Sequence, residues 1–317
     1  ACYVKAAVND VLDVCNAGAT IIVESTVSPG TIDKEVRPLI AERGFITGKD
    51  VHLVHAPERI LPGNMIYELI NNDRTIGADE PNVAVRVRDI YASFCKGEIV
   101  LTDIRTAEMT KVVENTFRAV NIAFANELSR ICRQDNMDVY EIIRICNKHP
   151  RVNIMNPGPG VGGHCISVDP WFLVGDYPQL TKVIGESMKV NDSQPDFVLE
   201  RLQVIMQENN IKDASRVGLY GITYKENVDD YRDSPTLQLL ESQARHLAAP
   251  LKCYDPFLEN MKLTESQYSD FDAFINDVDI VVVMVKHDHI CHNWDRLKDK
   301  IVLDCHNICP LPNTYRL

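Results

Sequence analysis

Apolar residues at Val4, Ala7, Val8, Val11, Leu12 and Cys15 recur at helical spacing, with the thiol counted as a small hydrophobe. They predict a helix over 3–15. Gly18 stops it, and Thr20-Ile21-Ile22-Val23-Glu24 reads as a buried strand. The alternation then repeats, with helices expected over 31–43, 65–71 and 81–95 and strands over 52–56, 74–78 and 98–101. Such alternation predicts an α/β layer architecture. From Thr106 to Arg133 the pattern becomes one helix without Pro or Gly. Met109, Val112, Val113, Phe117, Val120, Phe124, Leu128 and Ile131 mark its apolar stripe. Further helices at 138–147 and within about 180–209 make this middle region all-helical, a connector between two α/β lobes. A second α/β set follows. It has a strand at 216–221 ending on a glycine turn, a helix around 234–246, and strands at 251–254, 278–285 and 300–304.

The chain has 317 residues, room for two domains by size. Hydrophobic residues at 45% and charged residues at 25% are ordinary for a soluble globular protein with a sizeable core. A formal net charge of −12 argues against nucleic acid or an anionic membrane as partner. It leaves room for an anionic small molecule, since a few local cations suffice. No apolar run reaches membrane-spanning length, and no secretory segment opens the chain. The ten cysteines show no disulfide-framework spacing, which points to reduced thiols and a cytoplasmic compartment. A removed leader stays open, because the chain does not begin like a domain.

Candidate chemistry centres on Asn156-Pro157-Gly158-Pro159-Gly160-Val161-Gly162-Gly163-His164-Cys165-Ile166-Ser167-Val168-Asp169-Pro170-Trp171. Four glycines in six residues precede a histidine, a cysteine and an aspartate. Glycines permit close approach, so the expectation is a backbone held against a bound substrate with a nucleophilic thiol at the end of the turn. A helix starting near 165 would put Cys165 at its positive end and Asp169 one turn along the same face. The competing reading of any cysteine is a small buried hydrophobe. Lys111 and Asn115 share a helix face and suit an oxyanion, or they are simply solvated. Arg118 and Asn121 continue nearly the same face. His55-Ala56-Pro57-Glu58-Arg59 follows a strand, where ligands of open α/β sheets bind, so Glu58 is a candidate acid, base or water-positioning group. Otherwise it is a loop carboxylate. In Glu24-Ser25-Thr26-Val27-Ser28-Pro29-Gly30, helix capping accounts for Ser28 and for the following Thr31, but less easily for Thr26. Lys225 and Arg232 flank an acidic turn and either bind a diphosphate or form local ion pairs. His287-x-His289-x-Cys291-His292 and Cys305-His306-x-x-Cys309 fit no common zinc spacing, so loop or core placement is expected and no metal.

Taken in order, Glu24-Ser25-Thr26, Pro57-Glu58-Arg59, Lys111-x-x-x-Asn115, Gly158 to Asp169 and Lys225…Arg232 resemble the UDP-glucose/GDP-mannose dehydrogenase family of nucleotide-sugar 6-dehydrogenases. The resemblance covers nearly the whole chain. It implies oxidation of a sugar C6 alcohol to a carboxylate with two NAD+ and one water, the nicotinamide accepting each hydride. Cys165 would capture the aldehyde and carry it as a thioester. Lys111 and Asn115 would stabilise oxyanions, while Asp169, Glu58 and Thr26 would position water and relay protons. Thr26, Glu58 and Arg232 would contact the cofactor. Arg59, Arg118, Gly160, Gly162, His164 and Lys225 would contact substrate, and Arg151 would reach the neighbouring subunit's sugar site in a homodimer or higher oligomer. The implied fold is two Rossmann-like lobes joined by a long central helix and a helical middle domain. Residues 1–102 would be the cofactor lobe, 103–210 the central dimerisation domain and 211–317 the UDP-sugar lobe.

Val168 stands where UDP-glucose enzymes carry Lys, and Pro62 where they tend to carry a second Glu. Both moves are more similar to enzymes of UDP-N-acetylhexosamines, with UDP-N-acetylmannosamine first and the N-acetylglucosamine, N-acetylgalactosamine and glucose nucleotides as alternatives. No Gly-x-Gly-x-x-Gly fingerprint precedes the first strand. The first lobe is therefore expected to lack roughly 90–100 residues of a complete dinucleotide domain. On that expectation the polypeptide binds NAD poorly and is a non-catalytic sugar-nucleotide-binding dimer module in isolation. A micromolar calorimetric affinity for NAD would oppose it. A general α/β protein with a structural cysteine is the remaining reading.

Overall fold

The computed structural model describes residues 2–60, 64–246, 249–312 and 314–317, and Pro62 lies outside them. The chain forms two compact units, Ala1–Thr116 with Phe172–Pro178, and Phe117–Trp171 with Gln179–Leu317.

Unit 1 runs α1 (Cys2–Val14), β1 (Ala19–Val23), a π-helical turn (Ile32–Val36), α2 (Arg37–Glu42), β2 (Val51–His55), α3 (Met65–Asn71), β3 (Arg74–Ala78), α4 (Pro81–Ala92) and β4 (Ile99–Thr102). The expected single helix over 31–43 is thus split. Pro38 has no N–H to give, so the turn ahead of it closes wider before α2 continues. The sheet order is β1-β2-β3-β4. β1 and β2 are parallel, β3 and β4 are parallel, but β2 and β3 are antiparallel, pairing Val54 with Ala78 and His55 with Gly77. One core cluster packs Val8 and Leu12 of α1 against Val51 and Leu53, and another joins Val54 and Ile76 to Val83 and Val87 of α4. Each such side chain, fully buried, contributes roughly 1.5–3 kcal/mol.

The unit boundary at Thr116 falls inside the long helix α5 (Ile104–Gln134). Its expected apolar stripe divides. Val112 is buried, while Phe117, Phe124 and Ile131 are 65%, 49% and 52% exposed. Unit 2 continues with α6 (Val139–Cys146), α7 (Asp169–Asp176, whose later part belongs to unit 1), α8 (Lys182–Asp192) and α9 (Gln194–Glu208). Then come β5 (Val217–Tyr220), α10 (Pro235–His246), β6 (Lys252–Tyr254), β7 (Gln267–Tyr268), α11 (Phe271–Asn276), β8 (Ile280–Val283), α12 (Asp288–Cys291), β9 (Ile301–Asp304) and β10 (Thr314–Arg316). The strands β7 and β10 and the helices α11 and α12 are too short to leave a periodicity in the sequence. All pairings in this sheet are parallel, in the order β10-β9-β8-β5-β6-β7. Every residue of β5 and β8 is buried, as an all-parallel sheet covered on both faces requires. The strand order reverses between β5 and β8, which places a ligand crevice beyond their carboxyl ends. Among the described residues no helix is long and apolar enough to cross a membrane.

Candidate active site

In unit 1 the loop after β1 carries Thr26, which is half-buried. Capping does not hold it. Thr31 makes no side-chain cap, and its hydroxyl donates to the Ser28 carbonyl at 2.6 Å. Ser28 donates to Asp176 at 2.5 Å instead. The N–H groups of Gly30 and Ile32 are taken by the two oxygens of Glu108 at 2.6 and 2.8 Å, from a fully buried position on α5. A tertiary carboxylate thus replaces the expected local caps. Burial raises the Glu108 carboxyl above its ordinary value, and the Ile32 and Gly30 N–H groups only partly offset this. Its one sequence signal is a place three residues before Lys111, on the same helix face.

Lys111 and Asn115 lie on that face and are 9% and 6% exposed, so a solvated pair is ruled out. Lys111 makes no ion pair among the described residues. A buried cation beside a buried amide suits an anionic oxygen. Glu58 follows β2 and is held at both oxygens. Oε1 accepts the Arg59 N–H at 2.6 Å, and Oε2 pairs with Arg74 at 3.0 Å. The Arg59 guanidinium is engaged by Glu114 and, at 3.2 Å each, by the Asp73 carbonyl and the Thr75 hydroxyl. Arg74 was not among the sequence candidates, since it reads as an ordinary strand residue.

In unit 2 the glycine segment is coil. Gly163 has φ +81° and donates its N–H to the Arg232 carbonyl at 3.0 Å. A Cβ there would meet the Tyr224 ring at 2.8 Å, and one on Gly162 would meet the Asp233 carbonyl at 2.6 Å. Gly160 packs on Pro235 in the same way. These glycines are required by close approach to the protein's own Tyr224–Pro235 loop. That gives three of the run's four glycines a packing reason beside the substrate-cradle reading, while Gly158 has open space around it. The helix also starts later than expected, at Asp169. Cys165 precedes it by one turn, and its carbonyl accepts the N–H groups of Val168 and Asp169 at 3.1 and 2.8 Å. The Cys165 thiol is exposed, whereas Asp169 is 3% exposed. His164 and Cys165 face the Asp230–Arg232 pair electrostatically. Arg232 holds Asp230 at 2.6 Å, the local ion pair of the two readings, and this lowers the Asp230 carboxyl.

Lys225 is half-buried and lines a crevice of about 50 Å³ beyond β5 and β8 with Gly160, Thr223, Thr236, Lys286 and His306. Lys286 is a cation that the sequence reading missed. Arg118 and Arg151 are exposed. Three of the four histidines of the two suspected metal clusters are used structurally. His287 Nδ1 accepts from the Asn227 N–H at 2.9 Å, His289 meets the Tyr220 hydroxyl at 3.0 Å, and His306 meets the Met284 carbonyl at 2.9 Å. Among the described residues no group of three or more His, Cys, Asp or Glu is placed to hold a metal.

Three stretches match the UDP-glucose/GDP-mannose dehydrogenase family: its NAD binding domain over residues 1–95, its central domain over 105–193 and its UDP binding domain over 218–310. The UDP-N-acetyl-D-mannosamine dehydrogenase of Methanocaldococcus jannaschii is 40% identical over 315 residues, spanning 96% of this chain and 70% of that protein. The chain belongs to the UDP-glucose/GDP-mannose dehydrogenase family. An NDP-N-acetyl-D-galactosaminuronic acid dehydrogenase of Ralstonia nicotianae is 36% identical over 318 residues, 95% of this chain and 73% of that protein. The solved structure of the UDP-D-ManNAc dehydrogenase from Pyrococcus horikoshii superposes with a TM-score of 0.89 at 34% identity, covering 99% of this chain and 76% of that one. By its family the chain is an NAD-dependent nucleotide-sugar 6-dehydrogenase with two Rossmann-like sheets.

The residues of unit 1 fit one part of NAD. Strand-end loops carry the Thr26 hydroxyl and the Glu58 carboxylate, polar groups of the kind that bind ribose hydroxyls. The helix after β1 offers no pyrophosphate cradle, because Glu108 already takes its Gly30 and Ile32 donors. The run Gly158 to Gly163 has the glycine spacing of a dinucleotide fingerprint, but it follows no strand, and its last three glycines pack on protein.

Proposed function

We propose that the chain oxidises UDP-N-acetylmannosamine at C6 to UDP-N-acetylmannosaminuronate through a Cys165 thioester. The observation that carries this is the exposed Cys165 thiol one turn ahead of buried Asp169, in a chain of this family. NAD supplies the hydride acceptor for each of two oxidations. The Cys165 sulfur adds to the aldehyde carbon, and its proton passes to the carbonyl oxygen. Loss of the second hydride to NAD, with release of the hydroxyl proton, leaves an acyl group on sulfur, which retains the carbon until water attacks, the C–S bond breaks and the sulfur regains a proton. Lys111 and Asn115 donate to the oxygen as negative charge develops on it. Asp169, Glu58 and Thr26 orient water and exchange protons with it.

In this reading Thr26, Glu58 and Arg232 contact the cofactor. Arg59, Arg118, Gly160, Gly162, His164 and Lys225 contact the nucleotide sugar. Residues 1–102 form the cofactor lobe, 103–210 the central domain and 211–317 the UDP-sugar lobe. The protein works as a homodimer to which Arg151 contributes across the interface. Exposed Phe117, Phe124 and Ile131, spaced by sevens on one face of α5, support docking of a second copy. Ten free thiols support a reducing, cytoplasmic setting.

The test counts NADH per sugar. Two are expected with UDP-N-acetylmannosamine, and C165A should abolish complete turnover while nucleotide-sugar binding survives. Full NADH production by C165A would remove the covalent role. The similarity to the Ralstonia protein favours one second reading, an N-acetylgalactosamine nucleotide as substrate, which the same assay separates.

A further inference from the structure

We propose that Arg74 is a positioning residue for Glu58, setting the carboxylate on which the water-orienting step depends. The inference rests on the reading of Glu58 as a site residue. The antiparallel pairing of β2 with β3 matches Val54 to Ala78 and His55 to Gly77. Continued past the end of β2, that register sets position 58 opposite position 74. Glu58 sits in the loop, with a side chain 34% exposed, whereas the Arg74 side chain is only 7% exposed. The partner is therefore fixed by the sheet, and the loop residue is fixed by the partner.

Arg74 is itself immobilised. Its guanidinium lies 4.7 Å over the Tyr91 ring and 5.8 Å from that of Phe94, both cation–π contacts. The Tyr91 hydroxyl donates to Glu24, at the head of the loop that carries Thr26. The Glu58 N–H donates to the Glu24 carbonyl at 3.2 Å, so the loops after β1 and β2 are tied together above this cation. With Oε1 held by the Arg59 N–H and Oε2 by Arg74, the carboxylate has one orientation and free lone pairs on its open side. Arg74 touches no reacting atom in this scheme and acts only through Glu58.

The test is a double-variant cycle on the whole protein, with UDP-N-acetylmannosamine and NAD as substrates and thermal melting as control. E58Q and R74Q should each lower kcat by roughly 10–100-fold. R74Q/E58Q should be no slower than E58Q alone, and R74K should retain more activity than R74Q. If R74Q fails to fold, the same cycle is run with R74K. A double variant whose loss equals the product of the two single losses overturns the proposal, as does normal kcat in a folded R74Q beside an impaired E58Q. Normal kcat in E58Q removes the reading of Glu58 itself, and this inference with it.

Discussion

Each unit pins a strand-end loop with one buried carboxylate, yet the two carboxyls are shifted in opposite directions. In unit 1, Glu108 takes the N–H groups of Gly30 and Ile32, and burial raises its carboxyl above the ordinary value of 4.5. In unit 2, Asp255 takes the N–H groups of Ile222 and Thr223 on Oδ2 at 2.6 and 2.9 Å and that of Phe257 on Oδ1 at 2.8 Å. It also pairs with His287 at 3.2 Å, both side chains being fully buried. Burial opposes the charge on Asp255, but the His287 hydrogen bond and the backbone N–H donors outweigh it and hold the carboxyl below 3.8. Two backbone donors do not compensate a buried charge, whereas three donors and an imidazole do. The histidines repeat the contrast. His287 is bonded at both nitrogens, and its Nδ1 fixes Asn227 in the turn that carries Lys225. His55, equally buried, has neither ring nitrogen in hydrogen-bond geometry with any described residue.

The largest expected effect breaks the unit 2 clamp. D255A removes the carboxylate partner of His287 and leaves two buried N–H groups and the partly buried Phe257 N–H without their acceptor, which should cost about 3–5 kcal/mol. Both tryptophans, Trp171 and Trp294, belong to unit 2, so urea unfolding followed by tryptophan fluorescence reads that unit. A loss under about 1 kcal/mol would mean that the loop is held by something else.

Next comes the uncompensated histidine of unit 1. Burial pulls the His55 imidazole from 6.5 down to about 4, against a smaller opposing effect of the Val23 backbone. The unfolded chain takes up the proton first as pH falls, so stability is fully present above 6.5 and declines through the window down to about 4. The total is about 3 kcal/mol. Hydrogen exchange of the β2 amides should show the decline, and H55F should flatten it. An unchanged pH slope in H55F would assign the acid sensitivity to other groups.

Much of this architecture was legible, and the reasons differ by element. The 65–71 helix and 74–78 strand coincide with α3 and β3, because turn-forming residues bound short apolar runs there. Cys165, Lys111, Asn115, Glu58 and Asp169 stood out as reactive types in an ordered set of motifs. What was not legible is what holds them. Arg74 finds Glu58 through an antiparallel register that no local pattern encodes, and Asp255 finds His287 across 32 positions. The glycine run has a second cause that no local pattern encodes, since the sterics of Gly162 and Gly163 serve Tyr224 and Asp233, residues distant in sequence. Sequence reading therefore finds candidate reactive groups more readily than the groups that hold them, because holding depends on long-range pairing.

The smallest effect is the most discriminating. E108Q keeps the shape but offers one acceptor oxygen to two N–H donors, so it should cost about 1–3 kcal/mol at neutral pH. Its pH dependence should run opposite to that of D255A. A carboxyl raised on folding binds its proton more tightly in the folded state, so native Glu108 adds stability as pH falls toward 4.5. The deficit of E108Q should widen on acidification over that window. Asp255, lowered on folding, loses its contribution as pH falls below 3.8, so the deficit of D255A should narrow there. Urea unfolding of both variants and the parent across pH 3 to 7 measures the two slopes together. Slopes of the same sign would show that the two carboxylates are electrostatically alike, and that His287 does not set them apart.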